Sequence, residues 1–125
     1  MSSNRPLSPH LQVYKPQLTS FTSILHRVTG AALAVGAMIM TWWLWSVMTG
    51  GDTLMFFQSF VQSHIGKLML FGWVLAFCYH FFNGLRHMWW DAGRGITIAF
   101  ANRSAIVVLL LSAASAVLIW CRAAG

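Results

Sequence analysis

Acidic residues are almost absent from this 125-residue chain, since Asp52 and Asp91 are the only two. A chain with no paired carboxylates lacks one common means of general acid–base catalysis, and there is no glycine-rich phosphate loop either. The two cysteines, Cys78 and Cys121, have no metal-type spacing and give no sign of a disulfide framework. By itself the chain is therefore not expected to be an enzyme.

Charged residues of both signs are also scarce. They make up 8% of the chain against 58% hydrophobic residues, whereas a soluble domain has about 25% charged residues. Three stretches without Lys, Arg, Asp or Glu approach the roughly 20 residues that a spanning helix needs, and they cover 28–48, 68–85 and 104–121. The sequence predicts an all-α membrane protein with three transmembrane helices in a bundle, spanning about 24–49, 65–90 and 103–123. A soluble protein with buried helices is the less favoured alternative.

The basic residues give the expected orientation. Six of the eight precede the first span or surround the second connection, and two lie on the other side. The six are Arg5, Lys15, Arg27, Arg86, Arg94 and Arg103, and the two are Lys67 and Arg122. This positive-inside distribution places the N-terminus in the cytoplasm and the C-terminus in the periplasm, and it explains the net charge without nucleic acid. A bacterial inner membrane is expected, and a mitochondrial inner membrane is the less favoured location.

An ionisable stripe lies on the second span. At about 100° per residue, His80, Gly84, His87 and Asp91 share one helical face, and ionisable groups inside a membrane are read as a functional site. Imidazole can ligate a flat cofactor, and a glycine one turn further along the helix leaves room for the ring of that cofactor. From these residues alone, a haem ligand and an interior histidine bonded across helices are equal alternatives for His80. Because His80 and His87 lie on one helix face, a second haem ligand would have to come from another chain.

A second polar group lies near the start of the first span. Ser23, His26, Arg27 and Gly30 follow at i, i+3, i+4 and i+7 and share a face. A hydroxyl, an imidazole and a fixed cation can together bind a carbonyl or carboxylate, although an isolated Arg27 would instead extend to the lipid headgroups. An antiparallel second helix places this group at the same interface as His87, with His80 about two turns, roughly 10 Å, deeper.

Two motifs resemble the succinate dehydrogenase cytochrome b large anchor family. The first is RPLSPH at residues 5–10 followed by SILHRVTG at 23–30, and the second is HFFNGLRHMWWD at 80–91. They occur in the expected order within three spans of the expected length. The third span carries no motif, so there the resemblance is only in hydropathy.

The resemblance implies a membrane-anchor subunit of complex II. Such a chain pairs with a second small anchor and holds an FAD-containing flavoprotein and an iron–sulfur subunit, through which electrons from succinate pass to ubiquinone. Haem b would lie between the two anchors. By the resemblance, His80 is the axial haem iron ligand, and Ser23 and Arg27 bind the quinone. His26 and Arg27 would lie near the haem propionates.

Some alternatives remain open at this point. The chain could be a haem-free membrane anchor, or the anchor of a fumarate reductase in which electrons run from quinol to fumarate. Asp91 is expected to pair with Arg86, Arg94 or His87 rather than to carry protons. Residues 1–20 form a separate cytoplasmic segment before the anchor domain, 21–125, and its proline-broken part, 5–16, is expected to contact the soluble subunits.

Overall fold

The computed structural model describes residues 18–124, which form four helices. They are α1 (Leu18–Thr49), α2 (Gly51–Gln62), α3 (His64–Asp91) and α4 (Ile98–Ala124). Helices α1, α3 and α4 are long and apolar enough to cross a membrane, and no strand occurs in this described range. The predicted all-α fold with three spans is confirmed. The proposed N-terminal contact segment, 5–16, lies outside the described residues.

The start of α1, the end of α3 and the start of α4 meet at one end of the bundle. The Tyr79 hydroxyl of α3 donates to the Thr22 carbonyl of α1 at 2.7 Å, and the Arg86 Nε donates to Ser104 Oγ of α4 at 2.9 Å. Neighbouring spans therefore run antiparallel, as expected. This geometry brings the two polar groups of the sequence to one level.

The sequence pattern assigned no helix to residues 50–64, and the structure corrects this. Gly50 and Gly51 turn the chain with φ values of 64° and 55°, a region that glycine adopts readily. Helix α2 then packs its buried Phe57 edge-on against Trp42 of α1, with ring centroids 4.8 Å apart. With 12 residues, α2 is too short to be found by a search for spanning lengths.

The bundle has small and polar residues inside and large apolar residues outside. Large hydrophobic side chains are exposed along all of the helices, for example Met38, Leu68 and Leu110. The largest fully buried side chains are Asn83, Thr22, Ser46 and Ser112. Small and polar residues between helices and apolar residues facing outward are typical of packing in a lipid bilayer, which agrees with the hydropathy of the three spans.

Candidate functional site

Three histidines cluster between α1 and α3. The rings of His26 and His80 stack with centroids 3.9 Å apart and planes 8° from parallel. The His87 ring lies 5.1 Å from that of His26 and is tilted by 49°. The helical periodicity and the antiparallel return predicted that the two polar groups share one end of the bundle, which the structure confirms. They also predicted His80 about two turns deeper than His26, and this is wrong, because the His26 ring lies closer to His80 than to His87.

The hydrogen bonding of His80 fixes which ring nitrogen carries its hydrogen. Its Nδ1 lies 3.2 Å from the carbonyl oxygen of His26 and 3.3 Å from Thr29 Oγ1. A carbonyl oxygen only accepts, so Nδ1 is the donor. The Thr29 hydroxyl can donate to the carbonyl of Leu25 or His26, each at 2.9 Å. The lone pair of the neutral ring is therefore on Nε2, which has no hydrogen bond within the described part of the chain.

Two glycines border the histidine cluster, and they differ in how closely they are packed. A Cβ added at Gly30 would lie 3.1 Å from His80 Cε1, so the imidazole needs the missing side chain there. A Cβ at Gly84 would lie 3.9 Å from His26 Cε1, which is an ordinary contact. Packing within this chain therefore requires glycine at position 30. The expectation that Gly84 makes room for a cofactor stays a prediction.

Ser23, Arg27 and Asp91 lie at the same end of the bundle but are less enclosed. Ser23 is half-buried, whereas Arg27 and Asp91 are exposed. Asp91 forms no ion pair within residues 18–124, so the expected pairing is wrong there. The reason is that the guanidinium of Arg86 turns inward, away from the exposed carboxylate, and Arg94 stacks over Trp89 at 5.4 Å.

Arg86 is the residue that sequence reasoning misplaced. It was counted among the cytoplasmic surface charges, yet it is only 6% exposed and its guanidinium stacks over the ring of Trp90 at 4.1 Å. Its hydrogen-bond acceptors are Ser104 Oγ at 2.9 Å, Ala101 O at 2.8 Å, Thr22 Oγ1 at 3.2 Å and Asn83 Oδ1 at 3.1 Å. All four are neutral. The sequence did contain a sign of this burial, because Arg86 follows the polar residues Tyr79 and Asn83 at i+7 and i+3 and so shares their helical face.

Helix α3 thus carries two adjacent polar stripes with different surroundings. One stripe is buried between α1 and α4, and it consists of Tyr79, Asn83 and Arg86. The other is rotated by about 100°, is only half-buried, and consists of His80, Gly84 and His87. The histidine stripe therefore lies at the edge of the bundle, where a neighbouring chain can reach it.

A cavity lies in the other half of the bundle. It has a volume of about 570 Å³ and is lined by side chains of α1, α2 and α3, among them Phe57 and Trp73. No ionisable side chain borders it. The histidine cluster, where ionisable side chains meet, is therefore the candidate site.

Comparison with known proteins identifies the family of this chain. Residues 1–119 match the family described as succinate dehydrogenase/fumarate reductase transmembrane subunit. The succinate dehydrogenase cytochrome b556 subunit of Paracoccus denitrificans is 43% identical over 92% of this chain and 88% of its own length. The cytochrome b560 subunit of Marchantia polymorpha is 40% identical over 94% and 90%. The mitochondrial cytochrome b560 subunit of Sus scrofa is 36% identical over 94% and 70%. This chain belongs to the succinate dehydrogenase/fumarate reductase transmembrane subunit family.

Proposed function

We propose that this chain is the membrane-anchor cytochrome b subunit of a succinate:quinone oxidoreductase. With a second small anchor it binds haem b and forms part of the ubiquinone-reduction site, and it holds the iron–sulfur and FAD-containing subunits at the membrane. The names of the curated relatives support succinate oxidation and a b-type cytochrome. The basic residues favour a cytoplasmic N-terminus and a periplasmic C-terminus in a bacterial inner membrane.

The observation that carries the haem proposal is the hydrogen bond from His80 Nδ1 to the His26 carbonyl. Metal-ligating histidines usually donate their other N–H to a carbonyl or carboxylate, which fixes the tautomer and the ring orientation. Here that bond leaves the Nε2 lone pair for iron, and stacking by His26 covers only a face of the ring. We assign His80 as the axial ligand. Bound haem would supply one-electron transfer at this position.

A second histidine ligand for the haem iron would come from the partner anchor. The His26 and His80 rings stack face to face, with planes 8° from parallel, so these two imidazoles would not both hold one iron. In the described range no set of three or more His, Cys, Asp or Glu side chains could hold a metal ion. A single ligand at the edge of the bundle fits a haem shared between two chains.

His26 and Arg27 are the candidates for contact with the haem propionates. The His26 Nδ1 is buried and has no hydrogen-bond partner in the described chain. Burying such a group without a partner is costly, so an acceptor or donor from outside the chain would stabilise it. The exposed guanidinium of Arg27, one residue on, can form a charge-assisted pair with a carboxylate.

Ser23 and Arg27 are proposed to bind the quinone. Reduction requires two electrons and two protons, so the pocket should be apolar yet reachable from cytoplasmic water. The Ser23 hydroxyl would donate to a quinone carbonyl oxygen and orient the ring. The positive charge of Arg27 would stabilise negative charge as it develops on a quinone oxygen, an effect that is strongest where water is excluded.

The test is to measure succinate:quinone reductase activity of the assembled complex beside succinate oxidation by an artificial acceptor. Ser23→Ala and Arg27→Ala should lower the first activity roughly ten- to hundredfold, as expected for lost neutral and charged hydrogen bonds, and preserve the second. Ser46→Ala is the matched control, because this buried hydroxyl donates only to Trp42 O of its own helix at 2.9 Å. Unchanged quinone reductase activity in both variants would contradict the quinone assignment, whereas equal loss of both activities would indicate failed assembly.

A further inference from the structure

We propose that Thr22, Tyr79 and Arg86 form a clamp that positions Ser23 and Arg27 for quinone binding. This Thr22 clamp rests on the proposed function, because it acts through residues assigned to the quinone site. None of its three members is assigned contact with the quinone. Tyr79 and Arg86 are therefore positioning residues, which set where α1 presents its polar groups.

Both the backbone and the side chain of Thr22 are held by α3. Thr22 is fully buried, and its carbonyl oxygen accepts from Tyr79 Oη at 2.7 Å. Its Oγ1 accepts from Arg86 Nη1 at 3.2 Å and donates to Thr19 O at 3.0 Å. Tyr79 and Arg86 lie two helical turns apart on α3, so α3 holds Thr22 of α1 by hydrogen bonds from two positions along its length. Two such contacts restrict both the rotation of α1 and its displacement along its axis.

Arg86 also connects the Thr22 clamp to α4. Its Nε donates to Ser104 Oγ and its Nη2 to Ala101 O. The guanidinium is planar and rigid, so its hydrogen bonds to α1 and α4 are made in a fixed relative geometry. The first turns of α1 are thereby fixed relative to both other spans.

The rotation of α1 matters because Ser23 directly follows Thr22 and Arg27 lies little more than a turn further on. Side-chain atoms lie roughly 5–6 Å from a helix axis, so a rotation of about 10° moves them by roughly 1 Å. A displacement of about 1 Å can lower a rate by roughly a hundredfold. Small changes in the clamp should therefore be seen at the quinone site before they are seen in the fold.

The first variant is Tyr79→Phe in the assembled complex, which removes one hydroxyl and keeps the ring. Because a small displacement of Ser23 and Arg27 would weaken their contacts with the quinone, the KM for quinone should rise roughly two- to tenfold, equivalent to the loss of about one hydrogen bond. Succinate oxidation by an artificial acceptor and the haem spectrum should be unchanged. Ser112→Ala is the matched control, because this buried hydroxyl donates at 2.6 Å to Val108 O of its own helix. It should leave the KM for quinone as it is.

A double-variant cycle separates positioning from a merely structural role. If Tyr79 acts through Ser23 and Arg27, Tyr79→Phe should change the KM less in a Ser23→Ala background, in an Arg27→Ala background, or in both, than in the wild type. Independent, multiplicative effects in both backgrounds would overturn the clamp. So would a Tyr79→Phe or Thr22→Val variant in which haem content and both activities fall in proportion, since that is the behaviour of general destabilisation.

The outcomes also distinguish the clamp from the proposed function. If Ser23→Ala raises the KM and Tyr79→Phe does not, the clamp is refuted and the quinone role of Ser23 stands. If Ser23→Ala and Arg27→Ala both leave quinone reduction unchanged, the quinone assignment fails and the clamp fails with it.

Discussion

Replacing Arg86 by Met should destabilise the assembled complex far less than the number of its hydrogen bonds suggests. Arg86 makes four hydrogen bonds, and at about 1.5–3 kcal/mol for each bond from a charged group their simple sum is about 6–12 kcal/mol. That sum ignores the hydrogen bonds that each acceptor residue keeps when Arg86 is removed. It also ignores that a buried guanidinium without a carboxylate partner is itself costly.

The magnitude follows from which acceptors lose their last partner. Without Arg86, Thr22 Oγ1 still donates to Thr19 O and Ser104 Oγ still donates to Ala101 O. Only the Asn83 amide is left unpaired, because it is fully buried and its Nδ2 already has no partner in the described chain. One unsatisfied buried amide costs about 1–3 kcal/mol. Arg86→Met should therefore cost about that much or less, and adding Asn83→Leu should recover most of the loss.

The assay compares the temperature at which the purified complex loses its subunits for the wild type, Arg86→Met and Arg86→Met/Asn83→Leu. Because a multisubunit complex does not unfold in two states, the order of the three midpoints is the result used. The predicted order is wild type highest, the double variant close to it, and Arg86→Met lowest. A double variant less stable than Arg86→Met would refute the argument that the orphaned amide dominates.

Two further substitutions test the contacts between α1 and α3. Gly36→Ala would place a Cβ against the indole of Trp73 and should destabilise the complex by about 1–3 kcal/mol through overpacking. Gly72→Ala is the control, because the added Cβ meets no atom within 4 Å, and it should leave the thermal midpoint of the complex unchanged. Equal midpoints for the two variants would contradict this packing. Gly30→Ala should push the His80 ring by a few tenths of an ångström, because the added Cβ would lie 3.1 Å from Cε1, and redox titration should show haem retained with a shifted midpoint potential. A potential identical to that of the wild type would contradict the close fit at Gly30.

Much of the architecture could be predicted from periodicity and length. The three spans follow from apolar stretches, and the presence of the Ser23–Arg27 group and the α3 histidines at one end of the bundle follows from helical spacing and an antiparallel return. Direct stacking of His26 on His80 was not predicted, because the spacing placed His80 about two turns deeper. Helix α2 was missed because its 12 residues fall below spanning length. Burial of its Phe57 depends on Trp42 from another helix.

The rotation of each helix within the bundle was the harder property to predict. Arg86 lies near the end of a span, where a cation is expected to reach the headgroups. Whether it points outward or inward depends on acceptors offered by α1 and α4, which no single-helix pattern contains. The close packing of the His80 ring against Gly30 likewise depends on the facing helix, α1, and could not be predicted from the pattern of α3 alone.

The most direct test of the account is a reduced-minus-oxidised visible spectrum of the complex purified in mild detergent from its native membrane. The wild type and a His87→Ala control should show a b-type haem band, and His80→Ala should lose it while the partner subunits remain bound. A wild-type complex without haem, or an unchanged band in His80→Ala, would contradict the assignment of His80 as the iron ligand.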